Sequence, residues 1–376
     1  MYMSNDNLGK VLIQIRDLRV GSGISTCIMN YYESIVSAGF KVDFLLNRVI
    51  ESPYMEMVEK HGSQVYVLPV DTNKPSLSNA KYIEMIARKD YDIIHVNISG
   101  LNASLALHYA KKHNIKFRIY HGHSVFERGS VKAWLRSQIY VNYSISQANY
   151  YAACSKHAGK SLFKDKHFFT IHNVFDVDRF EFNQQARNRI RTELNINGKI
   201  ALGSVGRLSD SKKPIMAIKI FEKLYRSNQK YVFLWVGDGE LRTKVEKYII
   251  DNNLTSRVLL LGNRNDINDI YSALDLFVLP TEFEGLGLVF LEAQAAGLEC
   301  FASDCIPDDV IVTDHIHTIP LEDDIAKWAR EIEKHFPYKR VSGVEKIKKA
   351  GYDKYVEESE MVKMYRMIME GGFQSR

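Results

Sequence analysis

The strongest constraint on this chain is a rhythm. Short apolar runs alternate with helix-length segments, and the pattern occurs twice. In the first set, Lys10–Ile15, Phe40–Leu46, Gln64–Leu68, Tyr91–Val96, Lys116–Tyr120, Tyr150–Ala153 and Phe168–Ile171 read as strands. They are nearly continuously apolar, as strands covered on both faces of a parallel sheet are. Helical segments lie between them at Ile24–Ala38, Tyr82–Lys89, Leu101–His113, Trp134–Ala148 and from Ser155 to Phe163. The polar, turn-rich stretch His172–Phe180 then breaks the rhythm. Beyond it, strands at Ile200–Val205, Tyr231–Val236, Val258–Leu261, Leu276–Leu279 and Cys300–Ala302 alternate with helices at Pro214–Tyr225, Leu241–Asn252, Ile267–Ala273 and Leu288–Ala296. After Ile316–Ile319 the chain reads as helical from Glu322 to Lys349. Such alternation predicts an α/β fold with right-handed, parallel, doubly wound sheets and helices on both faces. One core rarely serves 376 residues, so two Rossmann-like domains are expected, 1–180 and 181–350. Ligands of such sheets bind beyond the strands' carboxyl ends, which places the expected active site in a cleft between the two domains.

Composition narrows the function classes. No apolar run is long enough to cross a bilayer, and MYMSNDNLGK has no leader-like apolar core, so a cytoplasmic protein is expected. Cys27, Cys154, Cys300 and Cys305 are too scattered for a zinc site or a disulfide framework. The net charge of +5 is uneven: residues 1–180 hold 22 Lys and Arg against 15 Asp and Glu. A basic first half calls for an anionic partner, either a phosphorylated substrate or an acidic membrane surface, or else is ordinary surface imbalance. Nucleic acid ranks last, because no reading motif accompanies the charge.

Several motifs fall at strand ends. Gly21-Ser-Gly23 follows the first strand, but Thr26 stands where a dinucleotide fingerprint needs its third glycine, so a loop approaching a phosphate or sugar is the better reading. CSKHAGKS, from Cys154, lacks the first glycine of a phosphate-cradling loop. Asp176-Val-Asp178 has the spacing of a metal motif but reads better as a surface or capping pair. His121-Gly-His123 sits just past a strand's carboxyl end, where two histidines point to function. In Gly206–Lys213, Arg207 can fork onto a phosphate and Lys212 adds a mobile charge. Gly237-Asp-Gly-Glu240 shows only that backbone approaches something closely. The stretch Leu279–Gly297 is the most informative. Gly285 and Gly287 bring bare backbone to a helix start, a good seat for phosphate. The helix from Leu288 is apolar nearly all round, so Glu292 is either ion-paired or waiting for hydroxyls.

In this order Gly21 and Gly23, His121, Cys154-Ser155, His172-Asn173, Gly206-Arg207 with Lys212, Gly237–Glu240 and Glu284-x7-Glu292 resemble the motifs of the retaining family 4 glycosyltransferases of GT-B fold. The resemblance spans nearly the whole chain, is strongest over Asp275–Asp304, and is to the type that builds bacterial exopolysaccharide and capsule. One departure stands out: the family's first loop usually reads Gly-Gly-x-Glu, and here Ser22, Gly23, Ile24 and Ser25 occupy it.

The resemblance implies two facing domains, with the first receiving the acceptor, the second holding a nucleotide-diphosphate sugar, and a C-terminal helix in 351–376 crossing back to the first. Glu292 would bind the ribose hydroxyls and Glu284 those of the donor sugar. The diphosphate would lie over Gly285, Leu286, Gly287 and Leu288, and the first-domain loop with Gly21 and Gly23 would complete the donor site. Were residues 284–292 wholly helical, the two glutamates would stand about 12 Å apart along the axis. Arg207 and Lys212 would neutralise the leaving diphosphate, so that no metal and no cofactor is required. His121 would serve the sugar hydroxyls or the acceptor during a front-side displacement that retains anomeric configuration. UDP sugars are the expected donors, and a glycan or lipid-linked saccharide the acceptor. Lys132, Trp134, Arg136, Tyr140 and Tyr143 along one helix suit an anionic inner-membrane surface, or alternatively core packing. Two rivals remain: a nucleotide-sugar epimerase that hydrolyses its donor, and a non-catalytic GT-B partner subunit.

Overall fold

A computed structural model describes residues 8–20, 22–72, 74–123 and 131–371, the side chains of 131–133 excepted. The chain divides into two compact units, Met1–Phe175 with Lys354–Arg376, and Asp176–Asp353. The divisions thus fall at 175/176 and 353/354, beside the 180 and 350 read from sequence, and the residues from Lys354 onward belong to the first unit.

The first unit is a seven-stranded parallel sheet in the order β3-β2-β1-β4-β5-β6-β7. Its strands are β1 Gly9–Ile15, β2 Phe40–Leu46, β3 Val65–Val67, β4 Ile93–Val96, β5 Phe117–Gly122, β6 Tyr150–Ala153 and β7 Phe169–Thr170. Helices α1 Gly23–Ser37, α2 Pro53–Lys60, α3 Leu77–Ala87, α4 Leu101–Lys112, α5 Val131–Gln147 and α6 Lys156–Phe163 make the crossovers. The short α2 is absent from the sequence reading, although Pro53 at its first position behind Ser52 is a recognised start signal. Helix starts use local caps: Ser76 accepts from the Asn79 amide, and Ser155 from that of Ala158 at 3.0 Å. Ser155 is therefore a cap, and a Cβ on Gly159 would lie 2.1 Å from the Phe168 ring. Packing accounts for that glycine without any phosphate loop.

The second unit is a six-stranded parallel sheet in the order β10-β9-β8-β11-β12-β13. It consists of α7 Gln184–Glu193, β8 Ile200–Val205, α8 Pro214–Ser227, β9 Tyr231–Val236, α9 Arg242–Asp251, β10 Val258–Gly262, α10 Ile267–Ala273, β11 Leu276–Leu279, α11 Leu288–Ala295, β12 Glu299–Ser303, β13 Ile316–Ile319, α12 Ile325–Lys334 and α13 Val344–Lys349. The charged α7 is fastened to the sheet by a carboxylate. Asp275 pairs with Arg187 at 2.6 Å and Arg191 at 3.2 Å, and accepts from the Ala201 amide at 2.7 Å. Three donors on one carboxylate satisfy its charge, as burial demands. The single helical tract expected over Glu322–Lys349 is instead two helices. Pro337 cannot donate to a helix, and Gly343 packs so tightly that a Cβ would lie 2.3 Å from the Gln294 carbonyl oxygen.

A last helix, α14 Glu360–Met369, closes the first unit. Met361, Val362, Met364, Tyr365 and Ile368 enter the same core as β1, α1 and β2. His172 anchors its start, with the ring Nδ1 and the backbone amide each 2.8 Å from the Glu360 carboxylate. In each sheet the strand order reverses between two neighbours, β1 and β4 in the first, β8 and β11 in the second. Loops leaving such a point diverge and open a crevice.

Candidate active site

In the second unit the loops after β8 and β11 meet at that reversal, because the strands themselves pair (Leu276 with Leu202). The Glu282 amide donates to the Ser211 carbonyl at 2.7 Å, and the Thr281 hydroxyl donates to the same oxygen at 3.1 Å. Two ion pairs reinforce these bonds, Lys213 with Glu282 and Lys212 with Glu284. The second pair is well covered, Lys212 being 19% and Glu284 8% exposed at the side chain. Lys212 ends a short 3₁₀ turn, Asp210–Lys212, and Pro214 then starts α8. Arg207 stands apart from this clasp: it is exposed and pairs with Glu240 at 3.0 Å.

The glycines of Gly237–Glu240 serve the protein itself. A Cβ on Gly237 would lie 2.1 Å from the Gly206 carbonyl oxygen, and one on Gly239 2.4 Å from that of Leu208. The Trp235 indole also donates to Gly206 at 2.9 Å, so this turn buttresses the arginine-bearing loop from behind. What the backbone approaches is its neighbour.

Glu284 and Glu292 do not share a continuous helix. Gly287, at φ 89°, is left-handed, and α11 begins only at Leu288. The 12 Å axial rise expected for a wholly helical segment therefore does not apply, because a left-handed residue ends helical propagation. A Cβ on Gly287 would meet Phe290 at 3.1 Å. Among the described residues no side chain caps α11 at its start, which leaves its first-turn amides the character of an anion seat. Leu286 is buried beneath this turn, and Gly285 and Leu288 are half-buried.

Glu292 projects from α11 half-buried. Among the described residues it has no ion pair, and one donor reaches it, the Tyr271 hydroxyl at 3.0 Å. Burial pushes its carboxyl up to about 7, against the smaller lowering effects of Tyr271 and Arg179. Of the two alternatives open from sequence, the ion pair is not what the structure holds.

In the first unit, Gly21 lies outside the described residues, and Gly23 is the first residue of α1 with open space where a Cβ would stand. Ser25, which replaces the family's usual acid, is buried and donates to the Asp17 carbonyl at 2.7 Å. It pins the loop, while Arg48 binds the Asp17 carboxylate at 2.9 Å. His121 is buried at the end of β5 in a row of rings. His95 Nε2 and His121 Nδ1 are 3.0 Å apart, with the ring planes 5° from parallel, and the His123 ring lies 4.0 Å from that of His121. His123 Nε2 meets Asn97 Oδ1 at 2.8 Å, and His95 Nδ1 meets the Tyr365 hydroxyl at 2.7 Å. Among the described residues His121 Nε2 and His123 Nδ1 have no partner. Burial drives His95 and His123 to about 3 and His121 well below the usual range, so all three rings are neutral. Sequence reasoning missed His95 and Tyr365. His95 reads as one more strand residue, and Tyr365 lies 270 positions away.

Asp176 and Asp178 serve local contacts: Asp176 accepts from the Arg179 amide at 3.3 Å, and Asp178 pairs with Lys348 at 2.7 Å. Among the described residues no group of three or more His, Cys, Asp or Glu side chains is placed to hold a metal ion.

Comparison with known proteins settles the family. The family model for glycosyl transferases group 1 matches residues 186–339, and that for glycosyltransferase family 4 matches residues 21–193. The Bacillus subtilis protein EpsF, named as a glycosyltransferase, is 25% identical over 97% of this chain and 98% of its own. The chain belongs to the family 4, group 1 glycosyltransferases. A stretch of this glycosyltransferase covering 29% of its length is 42% identical to 29% of the Escherichia coli UDP-Gal:alpha-D-GlcNAc-diphosphoundecaprenol alpha-1,3-galactosyltransferase. Its fold is GT-B. The Anabaena protein HepE in complex with UDP-glucose superposes with a TM-score of 0.69 at 18% identity, covering 96% of this chain and all of HepE. Sucrose-phosphate synthase from Thermosynechococcus elongatus gives a TM-score of 0.75 at 17% identity, again over 96% of this chain and all of its own. The group 1 match takes in Arg207, Lys212, Glu284 and Glu292, while Tyr365 lies outside both matches.

Proposed function

We propose that this glycosyltransferase moves a sugar, with retention and without a metal or cofactor, from a UDP-sugar to a glycan or lipid-linked acceptor in surface polysaccharide synthesis. The observation that carries the reading is the clasp at the reversal of the second sheet. It joins a covered cation, Lys212, a hydroxyl acceptor, Glu284, and an uncapped helix start at Gly287. Lys212 and Glu284 satisfy each other. A diphosphate would take Lys212 and sugar hydroxyls would take Glu284, so both groups exchange one partner for another at the moment of binding. Positive charge held ready for the leaving diphosphate is the cheapest way to stabilise it, since nothing need reorganise during reaction. Exposed Arg207 adds a second cation, and Gly285, Leu286, Gly287 and Leu288 form the seat between. Glu292 accepts the ribose diol from the far side, and His121 serves the hydroxyls of the sugar or acceptor.

Related proteins support the choice of nucleotide. HepE is described in complex with UDP and with UDP-glucose, and the E. coli relative is named for UDP-Gal. The test is turnover of UDP-sugars with the product anomer read by NMR. Transfer with retention supports the reading, and inversion, or release of UDP at the same rate without any acceptor, sinks it. Lys212→Ala is expected to lower donor turnover at least 100-fold, on the scale of losing one charge-stabilising group.

We also assign an anionic membrane face to α5, where a cytoplasmic enzyme would meet a lipid-linked acceptor. Leu135, Ile139 and Tyr143 recur every fourth residue and are 51%, 66% and 42% exposed, beside exposed Trp134 and Arg136. Tyr140 is half-buried and leaves the stripe, and the Lys132 side chain lies outside the described residues. No described helix is long and apolar enough to cross a membrane. An exposed apolar stripe with cationic flanks binds in the interface plane instead. Ile139→Asp is expected to reduce co-sedimentation with phosphatidylglycerol vesicles, and equal binding to neutral vesicles would remove this assignment.

A further inference from the structure

The first unit contains a hydrogen-bonded row that starts in α14 and ends on an unpartnered nitrogen at the end of β5. Its members are the Tyr365 hydroxyl, His95 Nδ1 and Nε2, and His121 Nδ1 and Nε2. A neutral imidazole carries one proton, so each ring passes a choice to the next. If the hydroxyl donates to His95 Nδ1, His95 must donate from Nε2 to His121 Nδ1, and His121 carries its proton on Nε2. In the reverse direction every proton shifts, His121 Nε2 is left bare, and the Tyr365 O–H must find another acceptor.

Tyr365 has none. It is fully buried, and among the described residues its hydroxyl meets only His95. A buried donor without an acceptor costs more than an oxygen whose lone pairs go unused. We infer that Tyr365, acting through His95, is a positioning residue that fixes His121 as the Nε2–H tautomer and so makes it a hydrogen-bond donor. The low proton affinity that burial gives both rings keeps the row neutral across the working pH range.

The neighbouring ring is set independently in the same tautomer, but with its other nitrogen left without a partner. Asn97 gives its amide group to the His95 carbonyl oxygen at 3.2 Å, which leaves Oδ1 facing His123 Nε2. His123 therefore donates from Nε2, and its unpartnered Nδ1 is a bare acceptor. Two stacked, neutral rings thus present one N–H and one lone pair, the pair of complements that a hydroxyl possesses. Assignment of that hydroxyl to a sugar or an acceptor rests on the function proposed above, whereas the tautomer does not.

The test uses full-length, ligand-free protein labelled with 15N-histidine, with ring resonances assigned through His121→Gln and His95→Gln. The ring-nitrogen shifts distinguish N–H from bare nitrogen directly. In the wild type His121 is expected to show N–H at Nε2 and bare nitrogen at Nδ1. In Tyr365→Phe the two resonances are expected to move toward each other as both tautomers become populated. A wild-type His121 protonated at Nδ1 overturns the inference even if Tyr365→Phe does not fold, as does a Tyr365→Phe spectrum with the His121 shifts unchanged. Should no UDP-sugar be turned over while the tautomer pattern holds, the functional reading falls and this inference stands.

Discussion

Glu292 is the residue at which the proposed function and stability oppose each other most directly. Its carboxyl, raised to about 7 in the folded protein, binds a proton that the unfolded chain has released by pH 4.5. Between those values the folded state holds more protons, so rising pH destabilises it, by about 3 kcal/mol in total. Glu292→Gln removes this term and keeps an acceptor for the Tyr271 hydroxyl. The variant is expected to gain stability over wild type as pH rises from 4.5 to 8 while its UDP affinity falls; denaturant melts and UDP titrations at both pH values check this. A pH-independent difference would show that the carboxyl is not strained. Sequence displayed Glu292 clearly, because a charged residue within an apolar helix cannot be overlooked. It did not display Tyr271, which lies on a different helix and is, among the described residues, the one donor that reaches the carboxylate.

At the scale of elements, the glycine turn behind the arginine loop is the sharpest test. Gly239→Ala would drive a methyl to 2.4 Å from the Leu208 carbonyl oxygen, and two backbones cannot separate as two side chains can. Overpacking of this kind costs about 1–3 kcal/mol. The expected result is a lower melting temperature for the second unit and weaker donor binding, because the loop that carries Arg207 and Lys212 must shift. Gly23→Ala, in open space, is the control and should leave stability within about 0.5 kcal/mol. The strands and most helices were legible from their periodicity, and the Lys212 and Glu284 loops were legible as strand-end loops. The joining of those loops was not, since it depends on β8 and β11 being neighbours across some seventy residues, an order that periodicity does not encode. The helix start at Leu288 was legible, but the apolar pattern does not reveal the left-handed backbone at Gly287 that precedes it.

For the whole molecule, the histidine row gives the first unit a pH dependence opposite to that of Glu292. Rings held neutral at about 3 while the unfolded chain titrates near 6.5 make the unfolded state bind more protons in that window. The first unit should therefore lose stability as pH falls below 6.5, by about 1.4 kcal/mol per pH unit for each ring. Hydrogen exchange, read separately over 8–123 and 200–320, should show the first unit opening earlier on acidification. Equal response in wild type and His95→Gln would contradict it. Removal of residues from Lys354 onward should likewise destabilise the first unit, since five core side chains of α14 leave with them, on the order of 10 kcal/mol of burial. The second unit, continuous from Asp176 to Asp353, should still melt cooperatively in that truncated protein.

The return of α14 also imposes an order of events on synthesis. The middle of the chain has every residue of its sheet by Asp353, whereas the first unit waits for a helix that follows the second unit in sequence. The strands of the first unit are complete by Thr170, so at about 5–20 residues per second that unit waits some tens of seconds of translation for α14. During that interval the hydrophobic floor that Met361, Met364 and Ile368 will cover stands open, a surface for a chaperone to shield. Its closing contact is the one that brings Tyr365 to His95, so the donor tautomer at His121 can be set only after the second unit has been made.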